Sequence, residues 1–148
     1  MSPLSAVAVF STEEACGGTV TVKGKSAEND VTGTFEEATE HIVPLYGLYN
    51  NDTTEVVITL DDGTSATFEV TTEDIGVDYG TIQTEMKSEA SYDYSNLTFV
   101  CSTMGTLYGV DAAGDIRFFT NIGGTLGVHQ LENGHLLMPA SYVLKSSY

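Results

Sequence analysis

Three histidines, 21 carboxylates and two cysteines carry most of the reactive chemistry in this 148-residue chain. His41 stands three positions before Pro44 in strand-like sequence and reads as a half-exposed surface group. His135 follows Asn133-Gly134, a tight turn where exposure is ordinary. His129 is approached through Gly123-Gly124-Thr125-Leu126-Gly127 and opens a strand. Glycines let backbone pass close to a ligand, so His129 has two readings, a ligand contact or a hairpin-base histidine bonded to backbone. A serine nucleophile needs a base beside it, and the sequence contains no GxSxG elbow, P-loop or GxGxxG fingerprint.

The carboxylates read as turns and solvated faces. Asp111 and Asp115 are four apart, but the loop lacks the dense series of oxygen ligands that calcium takes. Asp and Gly are favoured turn formers, and Asp61-Asp62 gets the same reading. Glu13-Glu14 and Glu36-Glu37 read as surface charge, since nothing places two carboxylates in a shared apolar pocket. Cys16 and Cys101 form no CxxC and join no Cys/His cluster, so a structural zinc site is not expected. The two thiols read as unpaired, with a disulfide between them left open. Asn51-Asp52-Thr53 and Asn96-Leu97-Thr98 match the glycosylation sequon, a pattern short enough to arise by chance.

Charge narrows the function classes. Five Lys and Arg against 21 Asp and Glu leave 5 − 21 = −16. Nucleic-acid binding needs basic groups that displace counterions, and an anionic membrane surface repels such a chain. No apolar run nears the roughly 20 residues of a spanning helix, and 41% hydrophobic residues argue for a folded protein. Residues 1–95 hold 18 of the acids against Lys23, Lys25 and Lys87, and residues 96–148 are nearly neutral. Two structural units meeting near residue 90 are expected. The N-terminus shows no basic leader followed by an apolar core, as in a cytoplasmic protein or one whose signal peptide is missing.

The elements that must position these groups are strands. Thr occurs 20 times and Val 14 times, and β-branched residues pack well on a pleated sheet. Alternation marks strands at 6–10, 19–23, 31–35 and 42–49, the last interrupted by Pro44, which belongs on an edge or at a bulge. Thr12-Glu13-Glu14-Ala15 reads as a loop. Runs at 55–60 and 65–70 flank Asp62-Gly63, a strong hairpin signal. Alternation fades over 71–92, apart from a short element near 82–86. It restarts at 97–101, 106–110, 115–120, 128–131, 135–138 and 140–144, with Asp/Asn/Gly turns, as a β-meander. No amphipathic helix exceeds ten residues. The meander breaks off at an unpaired strand, as if cut short.

Two stretches together resemble the bacterial aryl-sulfate sulfotransferase family. Glu40-His41-Ile42-Val43-Pro44-Leu45-Tyr46-Gly47-Leu48-Tyr49, after strands at 6–10 and 19–23, is similar to the "His-x-x-Pro-x-x-Gly-Leu-Tyr" segment of the family's N-terminal β-sandwich. Asp111-Ala112-Ala113-Gly114-Asp115-Ile116-Arg117-Phe118, then His129 through Leu137, is similar to its propeller entry. Phe118 stands where the family has Trp, His135 where it has Asn, and the spacing after His129 is shorter.

The resemblance implies an all-β protein: a small fibronectin-like β-sandwich over 1–75, a linker over 76–95, and the opening strands of a truncated β-propeller over 96–148. It implies transfer of a sulfuryl group from a phenolic sulfate donor to a phenol acceptor. The transfer is ping-pong, without a nucleotide donor or other cofactor, through a sulfated histidine in later blades, so no catalytic residue is expected here. His129 is the implied substrate-binding residue. The implied location is extracytoplasmic, which the missing leader does not support. A quinoprotein dehydrogenase ranks lower, because the chain has no Trp. From another class, a small acidic sandwich can serve as a non-catalytic interaction module or as the contact of a homodimer.

Overall fold

The computed structural model describes residues 3–77, 97–101, 106–121, 129–131 and 136–137. The expected element at 82–86, nearly all of the linker, both glycine-rich turns after residue 121, His135 and the final strand at 140–144 lie outside those residues.

The four short strands expected before residue 50 are the ends of two long ones. Strand β1 (Ser5–Val22) and β2 (Val31–Tyr46) run antiparallel, from Ser5 opposite Tyr46 to Val22 opposite Val31. Residues 12–15, expected as a loop, continue β1, and the register slips there twice, after Ser11 and after Cys16. Extra residues in one strand bend it and increase its twist. The two ends of the hairpin therefore belong to different layers. Between the strands, a 3₁₀ turn at Ala27–Asn29 is closed by the Lys23–Asp30 ion pair and by Gly24 N–H donating to Asp30 Oδ1 at 2.8 Å.

Strand β3 (Thr53–Leu60) joins β1 at residues 18–22 only, and β4 (Ser65–Thr71) follows as the hairpin that Asp62-Gly63 announced. The sheet order is β2-β1-β3-β4, which leaves Pro44 on an edge strand. Thr64 N–H donates to Asp62 Oδ1 at 2.7 Å, and this bond holds the Asp62 carboxyl below its usual range. The arm formed by the start of β1 and the end of β2 folds over the larger sheet. Its inward side chains, Ala6, Ala8, Phe10, Val43 and Leu45, share one core with Val20, Val22, Val56 and Ile58. Leu48 and Val56 in that core are fully buried, each such side chain contributing about 1.5–3 kcal/mol.

Strands β5 (Thr98–Cys101), β6 (Thr106–Val110) and β7 (Ile116–Asn121) form a second antiparallel sheet, as their spacing predicts. Gly109 lets Phe99 and Phe118 cross edge-to-face at 5.8 Å; a Cβ there would meet Phe118 Cβ at 2.9 Å. Val110, Ile116 and Phe119 belong to the same core as the sandwich. Strands β8 (His129–Gln130) and β9 (Leu136–Leu137) make a two-residue antiparallel pair. The described residues contain no α-helix.

Candidate functional site

The most connected polar cluster lies where β7 meets the sandwich. Gly109 pairs with Phe118 and Val110 with Ile116, so Arg117 is skipped by the ladder. Such a bulge re-aims a side chain. Here it sends Arg117 out of its own sheet, and the guanidinium is completely buried. Its Nε–H donates to the Gly47 carbonyl at 2.6 Å. Its Nη1 donates to the Asn29 carbonyl at 2.8 Å, Tyr49 Oη at 3.0 Å and Asp111 Oδ2 at 3.3 Å. The guanidinium carbon also sits 3.9 Å from the centre of the Tyr49 ring.

Each partner is fixed by its local sequence. Gly47 follows β2 at φ +81°, a left-handed conformation that turns its carbonyl aside, and Leu48 and Tyr49 follow as buried residues. The Tyr49 hydroxyl accepts from Lys25 N–H at 2.8 Å and from Arg117, and donates to Asp111 Oδ2 at 3.3 Å. One donor and two acceptors exhaust a phenol's capacity. Desolvation chiefly, and Asp111 beside it, push the Tyr49 hydroxyl above its ordinary pKa. Thr72 Oγ1 donates to the Tyr49 carbonyl, so the chain leaving β4 ties the same residue from behind.

Asp111 divides its carboxylate. Oδ1 accepts N–H groups from Ala113 and Asp115, both at 3.0 Å, closing the turn between β6 and β7. Oδ2 faces Arg117 and Tyr49. Asp115 Oδ1 receives Lys25 Nζ at 2.9 Å, and that bond raises the Lys25 pKa. The expected turn is therefore present, but Asp111 is buried and not solvated, because its carboxylate is committed to backbone N–H groups, Arg117 and Tyr49. Among the described residues no group of His, Cys, Asp or Glu could hold a metal ion.

Chemically, this arrangement is a clamp. The cation is enclosed by two carbonyls, a phenol and one carboxylate. Tyr49 and Arg117 stand within the two family-like motifs, yet neither has a role that spacing alone indicates. The available signal was a lone cation inside the apolar run Ile116-Arg117-Phe118-Phe119, in a chain with five cations.

The histidines fall elsewhere. His41 is buried at 3% exposure, contrary to expectation, because it points inward from β2. Its ring stacks on Phe10 at 4.6 Å and meets the edge of Phe35 at 5.1 Å. His129 heads β8, its backbone opposite Leu137. Glu13, Glu14, Glu36 and Glu37 are exposed, as expected. Cys16 and Cys101 are free thiols, both half-buried.

The family model of the arylsulfotransferase Ig-like domain matches residues 1–79. The chain belongs to the arylsulfotransferase family. Asn29, Gly47 and Tyr49 lie within the matched arylsulfotransferase domain, whereas Asp111 and Arg117 lie after it. The clamp thus joins the family's Ig-like domain to sequence outside it. No curated protein and no solved structure gives a significant match.

Proposed function

We propose that this chain is the N-terminal part of an aryl-sulfate sulfotransferase. The β-sandwich occupies residues 1–75, a linker 76–95, and the opening strands of a β-propeller 96–148. The sandwich acts as a base on which the propeller's first strands are fixed. The transfer itself uses a histidine outside residues 1–148. Its ring nitrogen attacks sulfur and the donor's phenolate leaves. The acceptor phenol then attacks the sulfated histidine and gives up its proton. Splitting one transfer into two steps is the ordinary gain of covalent catalysis. His129 is proposed to hydrogen-bond a sulfuryl oxygen, or to pair with it once protonated.

The observation that carries this reading is the arylsulfotransferase match over residues 1–79, continued by a meander clamped through Arg117. The test compares residues 1–148 with the product of the gene's full reading frame. Both are assayed for release of 4-nitrophenol from 4-nitrophenyl sulfate in the presence of a phenol acceptor. The longer product should turn over and the 148-residue chain should not. Robust turnover by residues 1–148, or none by the full product, overturns the reading.

A further inference from the structure

Two buried polar atoms of the clamp have no hydrogen-bond partner among the described residues, Arg117 Nη2 and Asn29 Oδ1. They belong to residues already bonded to each other, since Arg117 Nη1 donates to the Asn29 carbonyl at 2.8 Å. Arg117 is wholly buried and Asn29 is 7% exposed. Buried polar groups in folded proteins are nearly always paired, with protein or with ordered water.

Both residues are pinned. Asn29 N–H donates to the Ser26 carbonyl at 2.9 Å, and the Asn29 carbonyl accepts from Arg117. Asn29 also packs directly on Gly24, where an added Cβ would lie 2.6 Å from Asn29 Cβ. Arg117 is held at Nε by Gly47 and at Nη1 by Asn29, Tyr49 and Asp111. A guanidinium is a rigid planar fork, so these bonds also fix the direction of Nη2.

We propose that one water molecule is bound inside the clamp, accepting from Arg117 Nη2 and donating to Asn29 Oδ1. This goes beyond the sulfotransfer reading and does not depend on it. The two atoms are of opposite kind, a donor and an acceptor, and that decides the chemistry of the ligand. An anion accepts from Nη2 but has no proton for Oδ1, and Asp111 Oδ2, 3.3 Å from Nη1, already supplies the negative charge. A metal ion suits Oδ1 but meets the guanidinium with like charge. A small neutral molecule that both accepts and donates satisfies the pair, and buried waters make two to four such bonds. Asn29 then holds Arg117 through main chain and side chain together, tying the 3₁₀ turn at Ala27–Asn29 to β7 twice. Exchange of this water with solvent requires the seam to open locally.

The test uses the 148-residue chain. A crystal structure at about 1.5 Å or better should place one water within about 3.2 Å of both Nη2 and Oδ1. In solution, with arginine labelled with ¹⁵N, the Arg117 guanidinium protons should show a rotating-frame Overhauser cross-peak to water, opposite in sign to chemical exchange. Asn29→Leu has a similar volume but no acceptor. It should lose that cross-peak while the Arg117 Nε–H resonance keeps its position. No water within reach of both atoms overturns the proposal. So does an ion in its place, a direct bond from Nη2 to Oδ1, or a cross-peak that survives Asn29→Leu. Should that variant not fold, the wild-type crystal structure and cross-peak decide.

Discussion

Arg117 Nε–H donates to the Gly47 carbonyl at 2.6 Å across 70 positions of sequence. That bond joins the bulge of β7 to the end of β2, and it explains why a cation sits where an apolar strand residue is expected.

Removing the guanidinium should be costly. Arg117→Met leaves Asp111 buried without its cation and two carbonyls without a donor, and breaking a buried pair from one side costs about 3–5 kcal/mol. Urea titration should show that loss, with hydrogen exchange in β7 rising more than in β3. Arg117→Met with Asp111→Asn should recover part of it, because the stranded charge is gone. Equal stability of Arg117→Met and wild type would mean that the clamp holds nothing.

Tyr49→Phe removes a hydroxyl that makes three hydrogen bonds, an expected loss of about 1–3 kcal/mol at neutral pH. Its pH dependence has a defined sign. Desolvation raises the folded pKa of Tyr49, and the bond to Asp115 raises that of Lys25. Both groups hold their protons more tightly folded than unfolded. Their contribution is full below the ordinary range near pH 10 and is lost as pH rises through the folded values. Stability should therefore fall above about pH 10, and less steeply in Tyr49→Phe.

Gly47→Ala tests the turn itself. At φ +81° a side chain is strained, and its Cβ would lie 2.8 Å from Val31 Cγ2. A cost of at least about 1–2 kcal/mol is expected from the left-handed conformation alone, read as a lower urea midpoint. Gly63, also at positive φ but with open space around it, provides the comparison without the clash.

On the proposed reading, His129→Ala in the product of the gene's full reading frame should lower sulfotransfer at least about tenfold, the equivalent of roughly 1.4 kcal/mol in transition-state binding. His135→Ala should stay near wild type. Small, equal effects with folding intact would remove His129 from the substrate site.

Much of the fold was legible because its signals are local. Alternation places the strand cores, and Asp62-Gly63 and Asp111 through Asp115 make the turns they announce. What sequence hid was continuity. Thr12-Glu13-Glu14-Ala15 looks like a loop because its residues are polar, yet a bulge lets them stay in a strand while exposed. His41 is buried because the strand carries it inward, onto Phe10 from the neighbouring strand and Phe35 from its own, a contact that depends on strand pairing. The clamp was invisible as a unit because Asn29, Gly47, Tyr49, Asp111 and Arg117 come together only in the folded chain.

The clamp divides its parts unequally along the chain. The sandwich brings to it two carbonyls and a phenol, all neutral, whereas Asp111 and Arg117 arrive together in residues 111–117. During synthesis the first domain can therefore collapse without burying an unmatched charge. Domains generally fold from the N-terminus as units. The ribosome then delivers the acid and the base within one short segment, so the seam closes once, late, around a pair that emerges already neutralised.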